Sequence, residues 1–199
     1  MPDVSGIVLA GGQSRRLGTD KAFVKVGGVA LIERVTDRIR QICDDVTIVT
    51  NDPERYRYLG LPLVGDLWPG MGALGGIYSG LASIRHERGL VVGCDMPFLD
   101  LGLLRYMMLL SADYDVVIPR LDGLLEPLHA IYSRRCLGPI ADLLRAGDRR
   151  IVDFFDQVRV RYVEPAEAAI FDPQGLSYFN VNTPEDLAQA EQLASRHCS

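Results

Sequence analysis

Apolar positions along this chain fall into two patterns that alternate. VSGIVLA (4–10), VTIVT (46–50), LVVGC (90–94) and YDVVIP (114–119) are apolar and rich in β-branched residues, as strands buried on both faces of a parallel sheet are. Between the first two runs, Leu31, Val35, Ile39 and Ile42 recur at helical spacing within 30–42, and residues 72–86 and 101–112 also suit helices. Strand and helix in alternation predict βαβ units and a covered, mainly parallel sheet. The second half changes character: 125–133 predicts a strand, 134–147 a helix broken or restarted near Pro139, 151–156 a short helix, and 158–164 a half-exposed strand. Thr183 suits an N-cap, with Pro184 at the first helical position and Asp186 adding negative charge to the first turn. No repeat, low-complexity tract or linker interrupts the pattern, so 1–199 reads as one α/β domain.

Composition narrows the function. Of 199 residues, 48% are hydrophobic and 24% charged, which excludes a disordered chain. A formal net charge of −5 disfavours a nucleic-acid or membrane-surface binder, because both partners attract a positive field. Positive charge comes from nineteen arginines and two lysines, Lys21 and Lys25. Cys43, Cys94, Cys136 and Cys198 are scattered without a CxxC pair, as expected of free thiols in a reducing compartment. No basic leader and no run of about 18 apolar residues is visible. The expectation is a soluble, cytoplasmic protein that binds neither nucleic acid nor membrane.

The candidate chemistry starts after the first strand. Gly11 and Gly12 let backbone amides approach a phosphate, and Arg15, Arg16 and Lys21 supply charge to neutralise one. The spacing matches neither GxGxxG nor a Walker A loop. Taken alone, a glycine pair followed by arginines reads as a turn and solvated charge. The whole string LAGGQSRRLGTDK (9–21), however, resembles the LAGGxSxRMGxDK signature of nucleotidyltransferases, and most closely that of the molybdenum cofactor guanylyltransferases. The resemblance continues through Asn51, Asp66 with the segment Gly72–Ile77, CDMPFL (94–99), EPLHAIY (126–132) and FNVNTPEDL (179–187), so it spans 7–187 in the family's order. Two departures are apolar: Leu17 stands where the family has Met, and Ala73 where it has Pro.

That resemblance implies a three-layer α/β/α sandwich with a mostly parallel, Rossmann-like sheet of nucleotidyltransferase type. Residues up to about 120 would form a nucleotide-binding half, and 121–199 an acceptor half. It implies GMP transfer from GTP to the phosphate of the molybdenum-molybdopterin cofactor, with pyrophosphate released and Mg²⁺ required. Transient protein partners would deliver and collect the cofactor. Leu9, Ala10, Gly11, Gly12, Lys21, Asn51, Asp66 and Asp95 are the implied nucleotide-binding residues, and Arg15, Lys21 and Asp95 the implied catalytic ones. Asp95, at a strand end, would ordinarily cap a helix; within CDMPFL it reads as the Mg²⁺ ligand. Asp66 could accept from guanine or ribose, and Asn51 could read a base edge or close an Asx-turn in Asn-Asp-Pro. If 179–182 is extended, Asn180 and Asn182 share one face, as acceptor contacts or further metal ligands. His129 reads as a structural histidine. LAGG, where cytidylyl relatives carry LAAG, favours guanine over cytidylyl transfer to the same cofactor. Sugar-phosphate nucleotidyl transfer and a non-catalytic GTP- or molybdopterin-binding adaptor remain as alternatives.

Overall fold

The computed structural model describes residues 3–11, 21–121 and 123–197. The four apolar runs become strands β1 (Val4–Leu9), β4 (Val46–Val49), β6 (Arg88–Gly93) and β7 (Val116–Leu121). A small hairpin of β2 (Lys25–Val26) and β3 (Val29–Ala30) leads into α1 (Leu31–Ile39). The remaining elements are β5 (Leu63–Val64), α2 (Gly72–Ser83), α3 (Leu101–Leu110), β8 (Leu124–Leu125), β9 (His129–Ser133), α4 (Leu137–Ala146), β10 (Val160–Val163), α5 (Pro165–Ala168) and α6 (Pro184–His197). The main sheet runs β10-β7-β9-β6-β1-β4-β5, with β8 alongside β7. Contacts of β1 with β4 and β6, β4 with β5, and β7 with β10 are parallel, whereas β9 pairs antiparallel with both β6 and β7.

Alternation along β1 explains the three layers. Val4 and Val8 pack with Ile32, Val35 and Ile39 of α1 and with Leu103, Leu104 and Met107 of α3. Ile7 faces the other way, toward Leu74, Ile77 and Leu81 of α2, in a cluster that extends to Ile140 and Leu144 of α4. Glycines let both helices approach the central strand closely. A Cβ at Gly6 would overlap Ile39 of α1, and one at Gly80 of α2 would overlap Ile7. The chain leaves β1 toward β4 and β5, then crosses back to β6 on the other side of β1. Strand order therefore reverses between β1 and β6, and their carboxyl ends open the crevice where doubly wound sheets bind ligands.

The second half departs from its sequence pattern in one place. Residues 125–133 are not one strand. Pro127 has no N–H for a ladder, and the chain breaks at 126–128 between β8 and β9. Residues 134–147 restart near Pro139 as expected: α4 begins at Leu137 and Pro139 lies in its first turn, where its missing N–H removes no intrahelical bond. The small clusters around α6 form a third core: Val181, Ala190 and Ala194 pack on Val26 and Leu31, joining the C-terminal helix to the β2–β3 hairpin. His129 is fully buried at the start of β9, and burial pushes its pKa down to about 4.

Two measurements test this packing. Gly80→Ala is expected to destabilise by about 1–3 kcal/mol through overpacking against Ile7, read as a lower urea midpoint. Gly138→Ala has nothing within 4 Å of the added methyl and is expected to be neutral or stabilising by about 0.5 kcal/mol. His129 also makes stability pH-dependent. Its folded pKa lies below the ordinary histidine value, so its uncharged form stabilises the fold above about pH 6.5, and that contribution is lost as pH falls toward about 4. The loss at the lower end is about 3 kcal/mol. Urea titrations between pH 7 and 4 should show a smaller loss in His129→Gln, which cannot take up that proton.

Candidate active site

Four segments meet at the carboxyl ends of β1, β4 and β6. The backbone around Leu9 is held on both sides: Ala10 N–H donates to Val49 O at 2.9 Å, and Cys94 N–H donates to Leu9 O at 3.1 Å. The strand exit thus sits between Asn51, just beyond β4, and Asp95, just beyond β6. The amide of Ala10 is engaged by β4, so Gly11 is the first residue of the loop whose amide no described residue engages. Leu9 packs its side chain beneath Gly76 of α2. Gly12 and Arg15 lie outside the described residues.

Lys21 opens a single helical turn, Lys21–Phe23, pinned by buried Ala22 and by Phe23, whose ring packs at a tilt on Tyr56 with centroids 5.0 Å apart. Its ammonium lies 3.6 Å from Asp95 Oδ2 and donates to Asn182 Oδ1. Both charged side chains keep about a fifth of their surface in solvent, 23% and 22%. This pair is therefore a charged mouth rather than a sealed ion pair. Asp95 does not cap a helix: Asp100 does, accepting from Leu103 N at 2.7 Å. That frees Asp95 for the site. Gly93 makes its placement feasible, since a Cβ there would lie 2.6 Å from Asp95 Oδ1.

Asn182 is fixed from behind. Asp186 accepts from the backbone N–H groups of Asn182 at 2.9 Å and Thr183 at 2.8 Å, while Thr183 Oγ1 accepts from Asp186 N at 3.1 Å. These reciprocal bonds cap α6 as its sequence predicts. The Asn182 N–H, supported by Thr183 and the nearby Lys21 charge, holds the Asp186 carboxyl below the usual range. Phe179 and Val181 pack into the α6 cluster, and Asn180 points its amide N–H to Tyr178 O at 2.9 Å. Asn182 reaches the Lys21–Asp95 pair; Asn180, two residues earlier, has its amide oxygen uncommitted among the described residues.

On the other side of β1, Asn51 Oδ1 accepts from Asp66 N at 2.9 Å. The two nucleotide-side candidates are thus coupled, and the turn at 50–52 is closed by Thr50, whose hydroxyl accepts from Asp52 N at 3.2 Å. Asp66 Oδ1 accepts from Trp68 N at 2.9 Å and lies 3.1 Å from Ser79 Oγ, leaving Oδ2 for a ligand. Gly75 of α2 permits this, with a would-be Cβ 3.1 Å from Asp66 Oδ1. Ser79, Gly93 and Asp100 support the site and were not singled out from sequence; Asp186 was, as first-turn charge of α6, and it also fixes Asn182.

The donor set suits a hard divalent cation with few protein ligands. Asp95 offers a carboxylate, and Asn180 and Asn182 offer amide oxygens nearby. Among the described residues no group of three His, Cys, Asp or Glu side chains could hold a metal, so such an ion would take its other ligands from phosphate and water. Cys43 and Cys136 are buried free thiols whose pKa values are each pushed up to about 12, chiefly by burial. Cys94 is a half-buried thiol. No helix among the described residues is long and apolar enough to cross a membrane.

Comparison with known proteins agrees with this arrangement. The family described as MobA-like NTP transferase domain matches residues 6–162. A protein of Pelotomaculum thermopropionicum named "Probable molybdenum cofactor guanylyltransferase" is 41% identical over 98% of this chain and 95% of its own. The molybdenum cofactor guanylyltransferase of Desulfosudis oleivorans is 40% identical, covering 96% of each chain. Among solved structures, molybdopterin-guanine dinucleotide biosynthesis protein A from Archaeoglobus fulgidus superimposes with a TM-score of 0.85 at 29% identity, over 97% of this chain and all of that one. A parallel switch-point crevice, a lysine–aspartate mouth, and relatives matched along nearly their whole length lead to one conclusion: the chain is a nucleotidyltransferase and belongs to the molybdenum cofactor guanylyltransferase family, with a MobA-like NTP transferase domain.

Proposed function

We propose that this protein transfers GMP from GTP to the terminal phosphate of molybdenum-bearing molybdopterin, forming the guanine dinucleotide cofactor and releasing pyrophosphate in the cytoplasm. The observation that carries this reading is the convergence of Lys21, Asp95 and Asn182 beside the exit of β1, in a chain whose relatives bear the guanylyltransferase name. An oxygen of the acceptor phosphate attacks the α-phosphorus of GTP. The bond from that phosphorus to the bridging oxygen breaks, and pyrophosphate leaves with its electron pair. The attacking oxygen is already ionised near neutral pH, so no general base is needed. Catalysis is mainly positioning and charge neutralisation.

Within that scheme Lys21 leaves Asp95 and Asn182 for the triphosphate, joined by the Gly11 amide. Gly12 and Arg15 belong to the same loop by sequence and would add an amide and a guanidinium. Asp66, through Oδ2, and Asn51, coupled to it, would hold the base or ribose. Mg²⁺ held at Asp95, with Asn180 and Asn182 as neighbouring amide donors, would supply charge to offset that building on the phosphates. The acceptor then lies toward β9 and the 177–182 segment, on the far side of Asp95 from Asn51. Protein partners that bring and collect the cofactor would complete the cycle.

Lys21→Ala and Asp95→Ala are each expected to lower turnover by about 10³-fold or more, with thermal midpoints close to that of the parent. Near-normal GMP transfer by either would contradict the assignment. Trp68, the sole tryptophan, has its backbone N–H on Asp66 and should report nucleotide binding by fluorescence. A screen of GTP, CTP and ATP with the molybdenum-bearing cofactor tests the base: pyrophosphate released with GTP alone supports the reading, and release with CTP instead overturns it. Binding of GTP without release in the presence of acceptor would point to an adaptor.

A further inference from the structure

His129 is a hydrophobic-core position occupied by a polar side chain. It is fully buried in β9, opposite Val92 of β6. Its Nε2 lies 3.1 Å from Ser177 Oγ, and its Nδ1 has no partner among the described residues. An unpartnered buried nitrogen is costly, and a leucine would fill the space without it. The reason for its presence lies in what Ser177 holds. Asp100 N–H donates to Ser177 Oγ at 2.6 Å, and Ser177 N–H donates to Asp172 Oδ2 at 2.7 Å. Four residues on, Val181 N–H donates to Asp95 O at 2.9 Å. The loop 95–100 and the segment 177–182 are therefore tied together at both ends, 95 to 181 and 100 to 177. Those two segments carry Asp95, Asn180 and Asn182.

Ser177 Oγ accepts from Asp100 N–H and keeps one proton and one lone pair, so it can bond Nε2 in either tautomer of the neutral imidazole. The ring rests against Tyr178, with centroids 4.8 Å apart. The sheet thereby grips the tie from outside, through a ring that cannot shift in a packed interior.

We propose that His129 is a positioning residue for the transfer reaction: through Ser177 it fixes the 177–182 segment against the 95–100 loop, and so sets where Asn180 and Asn182 stand relative to Asp95. The claim rests on the guanylyl-transfer reading for its kinetic consequence, but not for its structural one. Glutamine places an amide where Nε2 lies and can keep the Ser177 bond; leucine keeps the volume and loses it.

The test compares the parent with His129→Leu, His129→Gln, Ser177→Ala and the His129→Leu/Ser177→Ala pair, in the full chain. Without substrate, amide hydrogen exchange at Val181 should quicken about 10-fold in His129→Leu and Ser177→Ala, and return toward the parent rate in His129→Gln. With substrates, kcat/KM for the acceptor should fall about 10- to 100-fold in the first two, GTP affinity by Trp68 fluorescence should change less than about 2-fold, and the double variant should be no worse than either single one. Parent-like exchange and acceptor kinetics in His129→Leu and Ser177→Ala would overturn the proposal. So would parallel losses of GTP affinity and turnover that His129→Gln does not restore, since that is general destabilisation. If His129→Leu does not fold, Ser177→Ala, lacking one oxygen, carries the same comparison. A parent protein that transfers no nucleotide would defeat the guanylyl-transfer reading, while the Val181 exchange rates would still decide the positioning claim.

Discussion

Everything at the active mouth depends on how closely two helices approach β1. Gly6 admits Ile39 of α1 on one face, and Gly80 of α2 admits Ile7 on the other. A side chain at either glycine would push its helix outward, and with it the loop that each helix anchors. Because α1 leads the chain to β4 and α2 leads it to β6, the two helices also determine where Asn51 and Asp95 flank the exit of β1. The crevice is a consequence of packing around one strand. Its chemistry is added at the strand ends, where the backbone of Leu9 and Ala10 is locked into the ladder and Gly11 begins the exposed loop.

Among the described residues the mouth pairs one positive charge with carboxylates rather than standing open as a bare cation. Lys21 is shared between Asp95 and Asn182, and Asp186 stands behind Asn182 with its carboxylate committed to two backbone amides. Such a lysine is held in reach of a phosphate without being buried, and its partial exposure keeps the cost of freeing it small. The neutral amide of Asn182 and the charged carboxylate of Asp95 then offer two oxygens of different strength. The two halves of the chain meet here as well, through the paired ties from 95 to 181 and from 100 to 177.

Much of the fold was legible from periodicity. The four buried strands, α1 to α3 and the Thr183–Pro184 start of α6 follow from apolar spacing and capping chemistry that act within a few residues. The antiparallel insertion of β9 did not, because it depends on a break at 126–128 and on which neighbours the strand finds across the sheet. The hairpin of β2 and β3 is too short to show a period. Among site residues, the loop after β1, Asp66 and Asp95 stood out only when the scattered motifs were taken together; singly, each has a local explanation. For Asp95 that explanation fails because Asp100 takes the cap. Ser79 and Ser177 could not be singled out: a serine that braces a carboxylate or a loop from a distant element leaves no local pattern.

The central claim is a single displacement at the α-phosphorus, with the protein supplying position and charge and no covalent intermediate. It is tested most directly by the stereochemistry of transfer, using GTP with one chiral sulfur-substituted α-phosphate and the molybdenum-bearing cofactor as acceptor. Phosphorus NMR of the dinucleotide product should show inversion of configuration at that phosphorus. Retention would require two displacements through a nucleotidyl-enzyme, and would contradict the account.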